Sequence, residues 1–273
     1  MQESRTIAGT LLGFGLLLGA GAPLAGPPFM TDDPEPVEYR HSEAYLFSTF
    51  DRGPHGDRTF AVPAFEFNTS PAPDWHLHAL LPFTGARPGG GPGAYGPGDI
   101  ELGVKYRFLH ETGTRPQAGF FPLLYVPTGD ADRGLGNDRV WGTFPLWLQK
   151  SFGPWTTYGG GGRAFNSAPG MRDYGFGGWL LQREITERLT LGSELFHQGA
   201  PSDDARRATF FNVGGVYEGG PLCGGCSLLF RLGTTVAGEH HDGGYLGLYW
   251  NFGPSGGGPA PASPFLQSSP EPR

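Results

Sequence analysis

Between residues 42 and 252 the chain repeats one pattern. Runs of about ten residues alternate apolar and polar positions, and Gly, Pro, Asp and Asn separate them. About twelve such runs are present, near 42–50, 59–68, 74–84, 98–109, 117–127, 141–150, 155–165, 174–184, 188–198, 208–218, 226–236 and 244–252. Asp99 to Leu109 shows the pattern most clearly. Ile100, Leu102, Val104, Tyr106 and Phe108 fall on one face, and Asp99, Glu101, Gly103, Lys105 and Arg107 on the other. A helix turns every 3.6 residues and would mix these sets, so the runs predict strands. In the last run Leu246, Leu248, Trp250 and Phe252 oppose Tyr245, Gly247, Tyr249 and Asn251. Leu189, Leu191 and Leu195 likewise oppose Thr190, Glu194 and Phe196. Phe120 to Val126 is apolar on both faces, and its orientation stays open.

A soluble β-sandwich also alternates. Runs of about ten residues are long for a sandwich and suit tilted membrane strands. Leu, Phe, Trp and Tyr at the run ends fit aromatic girdles. The expected fold is therefore all-β: a closed antiparallel up-and-down transmembrane β-barrel of about twelve strands. Connection lengths agree. The longer set is Asp51–Arg58, Gly85–Pro97, Thr128–Val140, Asn166–Asp173, Gly199–Arg207 and Ala237–Gly243. The shorter set is Thr69–Pro73, His110–Pro116, Ser151–Pro154, Ile185–Glu187 and Glu218–Gly225. With both barrel ends in the periplasm, the longer set faces outward.

Residues 1–26 read as a signal peptide: Arg5, the apolar Ile7 to Leu18, and small residues at Ala20, Gly21 and Ala22. Export to the outer membrane follows. Residues 27–41 are rich in Pro and acids and read as a periplasmic N-terminal segment ahead of the barrel at 42–252. Residues 253–273 read as a disordered Pro/Gly/Ser tail. Tyr245, Gly247, Trp250 and Phe252 resemble the closing-strand signal that barrel-assembly machinery reads, here ahead of that tail.

Composition narrows the picture. The 48 Gly and 27 Pro would suit disorder, but 14% aromatic residues would not. The net charge of -7 and the lack of a basic block argue against a nucleic-acid partner. Cys223 and Cys226 are an exported pair expected to form a local disulfide or to stay idle; no thioredoxin-like context accompanies them.

The inward faces place Glu66, His76, His78, Glu101, Lys105, Arg107, Arg163, Gln182, Glu184, Glu194, Asn212 and Arg231 in the lumen. Such charges either brace the barrel or line a permeation path. His76 and His78 point the same way, but sequence fixes no third ligand, so no metal is assigned. Glu239 to Asp242 reads as a solvated loop. Thr128 to Asp138 has alternating acidic oxygens but lacks the closing Glu of a calcium loop. Ser193 and His197 share an outward face, the one hint of an outer-membrane lipid hydrolase, without a third partner.

Several strings point to a family. They are Pro27 to Pro34 (PPFMTDDP), Tyr125 to Asp130 (YVPTGD) with Gly134-Leu135-Gly136, Phe144 to Gly153 (FPLWLQKSFG), and Trp155 to Gly161 (WTTYGGG). Over roughly residues 27–252 the chain resembles the outer-membrane transporter family labelled "MetA-pathway of phenol degradation". The resemblance implies a barrel that passes small, aromatic or hydrophobic compounds, and carries over no catalytic or binding residue. The expected partners are outer-membrane lipids, the assembly machinery and an unidentified small solute, with no cofactor. A non-conducting structural barrel is the alternative.

Overall fold

A computed structural model describes residues 27–219 and 225–254. The signal-peptide segment 1–26, Cys223 and all but the first two residues of the tail lie outside the described residues.

The alternating runs form fourteen strand segments: β1 (Ser42–Arg52), β2 (Arg58–Thr69), β3 (Trp75–Arg87), β4 (Ala94–Pro97), β5 (Ile100–Leu109), β6 (Gln117–Phe120), β7 (Leu123–Val126), β8 (Trp141–Phe152), β9 (Trp155–Phe165), β10 (Tyr174–Thr186), β11 (Leu189–Gln198), β12 (Ala208–Glu218), β13 (Ser227–Gly238) and β14 (Asp242–Phe252). All pair antiparallel in one sheet. The last strand returns to the first, with Ser42 opposite Phe252 and Arg52 opposite Asp242, so no edge is left. Both β4 and β5 add to β3, and both β6 and β7 lie between β5 and β8. Each of these two pairs is one interrupted strand, and the fold is a closed barrel of twelve.

The interruptions have local causes. Between β4 and β5, Asp99 turns away from the ladder: Oδ1 accepts the Gly129 N–H at 2.9 Å and Oδ2 the Asn137 N–H at 2.7 Å. These bonds pin the loop after β7 across the wide-loop mouth, where Leu135 is buried. Between β6 and β7 stands Pro122, which has no N–H to give the ladder. Pro63 does the same within β2, where the register shifts against both β1 and β3. The orientation left open by sequence is settled here: Phe121, Leu123 and Tyr125 point inward, and Phe120 and Leu124 outward.

The barrel is apolar outside and polar inside. Leu102 is 44% exposed, whereas its neighbour Glu101 is 2% exposed. Trp179, Leu195, Leu246 and Phe252 are likewise exposed on the outer face. A soluble protein buries the opposite set, so this surface is built for a lipid solvent.

The largest correction concerns residues 27–41. They do not sit ahead of the barrel. Residues 27–38 enter through the short-turn mouth and fill the lower lumen, where Phe29, Thr31 and Asp32 are buried. The barrel wall leaves room for them. A Cβ on inward-facing Gly178 would overlap Thr31, and one on Gly192 or Gly119 would crowd Phe29 or Pro34.

Candidate functional site: a plugged lumen

The plug has four prolines, Pro27, Pro28, Pro34 and Pro36, and therefore few N–H groups to satisfy in a dry interior. The barrel or the plug itself accepts several of the remainder. Glu194 of β11 takes the Met30 N–H at 2.7 Å and the Thr31 N–H at 3.0 Å. Asp33 Oδ1 takes the Glu35 N–H at 2.7 Å, and His76 Nδ1 takes that of Val37 at 3.4 Å. Arg231 Nε donates to the Pro28 carbonyl at 2.9 Å.

Charge pairing adds to this. Lys105 of β5 places Nζ 3.0 Å from Asp32 and 3.5 Å from Asp33. Two residues on, Arg107 reaches Glu35 at 3.8 Å and Asp74 at 2.9 Å. Gln117 and Gln149 each donate to Glu35 at 3.3 Å. Burial, reinforced by the Asp33 charge, pushes the Glu35 carboxyl up to about 7. Burial pushes Asp32 up to about 6, against the pull of Lys105.

A second ionic group lies beside the plug on β1–β5. His78 pairs with Glu101 at 2.9 Å and shares a hydrogen bond with Asn68 at 2.8 Å; Glu66 is 3.5 Å away. Cross-strand register brings them together: Asn68, His78 and Gly103 are successive partners. Glu43 accepts the hydroxyls of Tyr45 at 3.1 Å and Tyr249 at 2.9 Å. Among the described residues no group of three or more His, Cys, Asp or Glu is arranged to hold a metal ion.

The neighbouring wall is aromatic. Tyr125, Trp141, Trp147, Tyr174 and Phe176 are buried in one cluster with Met30 of the plug. Tyr125 stacks on Trp141 with ring centroids 3.8 Å apart. Above the plug a cavity of about 260 Å³ opens toward the wide-loop mouth. Met30 forms its floor, and Phe50, Phe60, Leu80, Leu135 and Phe210 its sides.

The structure places Glu66, His76, His78, Glu101, Lys105, Gln182, Glu194 and Asn212 inside and buried, and Arg107 and Arg231 inside and half-buried. Glu184 lies on the inner face near the short-turn rim, partly exposed. Arg163 is misplaced by the sequence reading. Its cross-strand partners are exposed Phe144 and Gly175, while neighbouring Ala164 is buried, so Arg163 projects outward. The glycine run Gly159–Gly162 gave no polar alternation from which to read its phase. Tyr245 and Gly247 face the lumen, and Phe252 the outside. Cys226 is disulfide-bonded. Ser193 and His197 share the outer face, but four steps along the strand set them about 13 Å apart. His197 instead shares a hydrogen bond with Thr209 at 2.9 Å, so no nucleophile–base contact forms. Sequence reasoning missed Asp32, Asp33 and Glu35, the partners of Lys105 and Arg107.

No family model matches the chain, and no curated protein matches it. Solved structures do. The "COG4313 outer membrane channel" from Pseudomonas putida F1 aligns with a TM-score of 0.65 at 15% identity, over 81% of this chain and 98% of that one. The translocator domain of the autotransporter NalP from Neisseria meningitidis gives 0.46 at 14% identity, over 77% and 88%. A Pseudomonas aeruginosa FadL homologue gives 0.41 at 10% identity, over 86% and 97%. At 15% identity the first likeness shows a shared fold, that of an outer-membrane β-barrel channel.

Proposed function

We propose that this protein is an outer-membrane channel for small apolar molecules, aromatic ones included, held closed in this state by residues 27–38. The observation that carries the reading is the cavity under the wide-loop mouth. It is apolar, open to that mouth, set within a lipid-facing barrel, and floored by the plug residue Met30. A concave apolar site with a few polar groups is what a small hydrophobic solute requires. The similarity to the Pseudomonas putida channel and the resemblance to the phenol-degradation family support the same class. The exported precursor would reach the outer membrane through the assembly machinery, with Tyr245, Gly247, Trp250 and Phe252 as its signal.

The test is conductance in planar bilayers, together with uptake of a labelled aromatic hydrocarbon by cells expressing the protein. The full chain should conduct weakly. A variant lacking residues 27–38 should conduct several-fold more and speed uptake. Absence of both conductance and uptake in that variant would overturn the channel reading. It would favour a structural barrel, the reading that the filled lower lumen also suits.

A further inference from the structure

The cavity holds a cation, Arg231, that forms no direct salt bridge among the described residues; the carboxylates of Glu194 and Asp51 act on it only from a distance. Arg231 of β13 lines its inner end. Nε is given to the Pro28 carbonyl at 2.9 Å and one terminal nitrogen to Asn212 Oδ1 at 2.9 Å. Among the described residues no carboxylate oxygen lies within the 4.0 Å of a salt bridge with it. The acids lining the same cavity are already engaged. Asp51 holds His241 at 2.9 Å, and Glu101 holds His78 at 2.9 Å. Asp99 accepts two backbone N–H groups, and Glu239 accepts that of Arg206 at 3.2 Å. The cavity thus offers a carboxylate the second terminal nitrogen of Arg231, which makes no hydrogen bond among the described residues, with apolar walls at Phe210, Leu80 and Met30.

Arg231 is also part of the plug's latch. Beyond its bond to Pro28, it holds Asn212, which donates to Glu194 Oε2 at 3.3 Å. Glu194 in turn carries the Met30 and Thr31 N–H groups. A carboxylate on the guanidinium competes for the N–H groups that Pro28 and Asn212 now use.

We infer that the cavity is a binding site for a small monocarboxylate with an apolar body, and that its occupation at Arg231 loosens the plug. This deepens the channel reading and rests on it for the route by which the solute enters. The carboxylate takes a bidentate place on Arg231, and the apolar body lies over Met30 and Phe210. An uncharged analogue fills the same walls without disturbing the latch.

Titration calorimetry of the full chain in detergent, with benzoate and its uncharged isostere benzamide, tests this. Benzoate should bind at least about tenfold tighter, the loss expected when one charge-assisted pair is absent. Arg231→Gln should reduce that preference below about threefold, and Arg231→Lys should keep part of it. Saturating benzoate should also raise the labelling rate of a Met30→Cys variant by a thiol reagent several-fold, and benzamide should not. Equal binding of benzoate and benzamide by the unmodified protein would overturn the site, whether or not the variants fold. Unchanged labelling under bound benzoate would overturn the latch. Either result leaves the channel reading standing if the variant without residues 27–38 still conducts.

Discussion

The two walls of the lumen are equally buried and differ in what holds them. On β1–β5 the buried groups are Glu43, Glu66, His76, His78, Glu101 and Lys105, each held by a hydrogen bond or an ion pair. On β7–β10 they are Tyr125, Trp141, Trp147, Tyr174 and Phe176, whose ring faces are packed. Among the described residues several polar atoms of that second wall, including Trp147 Nε1 and Tyr174 Oη, have no hydrogen-bond partner, and neither do Glu66 Oε2 and His76 Nε2 on the first. The ionic wall meets the acidic side of the plug through Lys105 and Arg107, and the aromatic wall meets its apolar apex at Met30. One wall therefore meets the plug through charge, and the other meets it through a dry aromatic surface.

Breaking each wall at its centre should move different observables. Lys105→Met leaves Asp32 and Asp33 buried without their counter-charge, a loss of about 3–5 kcal/mol. The loss falls on docking of the plug, because Lys105 bridges plug and barrel. Conductance should rise toward that of the variant lacking residues 27–38, while the folded barrel still migrates as a compact species in unboiled gels. Trp147→Ala should cost a similar 3–5 kcal/mol, roughly, through the cavity it leaves. That cost should appear as a lower denaturant midpoint with no gain in conductance. A Lys105→Met variant that unfolds without ever conducting would dissolve the distinction.

A smaller effect comes from pH, and its sign follows from Glu35. Its docked carboxyl titrates at about 7 against an ordinary 4.5, and that of Asp32 at about 6 against 3.8. The docked plug thus binds protons that a released plug gives up. Docking strengthens as pH falls through about 7 toward 4.5 and weakens as pH rises. For Glu35 alone the change is about 3 kcal/mol. The groups facing it are Asp33, whose charge raises its carboxyl further, and Arg107, Gln117 and Gln149, which oppose the rise. Conductance should be lower at pH 5 than at pH 8. Glu35→Gln should remain closed at pH 8 and lose the dependence above pH 6. A channel that opens on acidification would reverse the assignment.

How much of this could be read from the chain differs between the walls. Each expected strand lies within a few residues of an observed one, because a period of two survives wherever polar and apolar residues alternate. The ionic wall was legible for that reason: Glu101, Lys105, His76 and His78 each stand between apolar neighbours. The aromatic wall was not. Phe120 to Val126 is apolar on both faces, and Gly159 to Gly162 has no side chains to alternate, which is how Arg163 came to be placed inside. The plug was illegible for another reason. It has no periodicity, and a Pro- and acid-rich stretch resembles a linker. Only the inward Lys105 and Arg107, cations needing carboxylates that the neighbouring strands supply incompletely, hinted at a partner from elsewhere in the chain.

The smallest change sharpens the comparison most, because it removes one hydroxyl that bonds the ionic wall and one that belongs to the aromatic wall. Tyr174 and Tyr249 are 4% and 3% exposed, so their replacement by Phe removes equally buried hydroxyls. The Tyr249 hydroxyl donates to Glu43 at 2.9 Å and accepts from Asn251 at 3.2 Å. Tyr249→Phe should cost about 1.5–3 kcal/mol, since Glu43 keeps only Tyr45 of its two phenol donors. The Tyr174 hydroxyl has no hydrogen-bond partner among the described residues. Tyr174→Phe should be neutral or stabilising by up to about 1 kcal/mol, because a desolvated group with nothing to bond is taken away. Urea unfolding of the two variants in the same micelles reads both numbers. Equal losses would mean that the aromatic wall also depends on its polar atoms, and that the two walls differ in composition but not in kind.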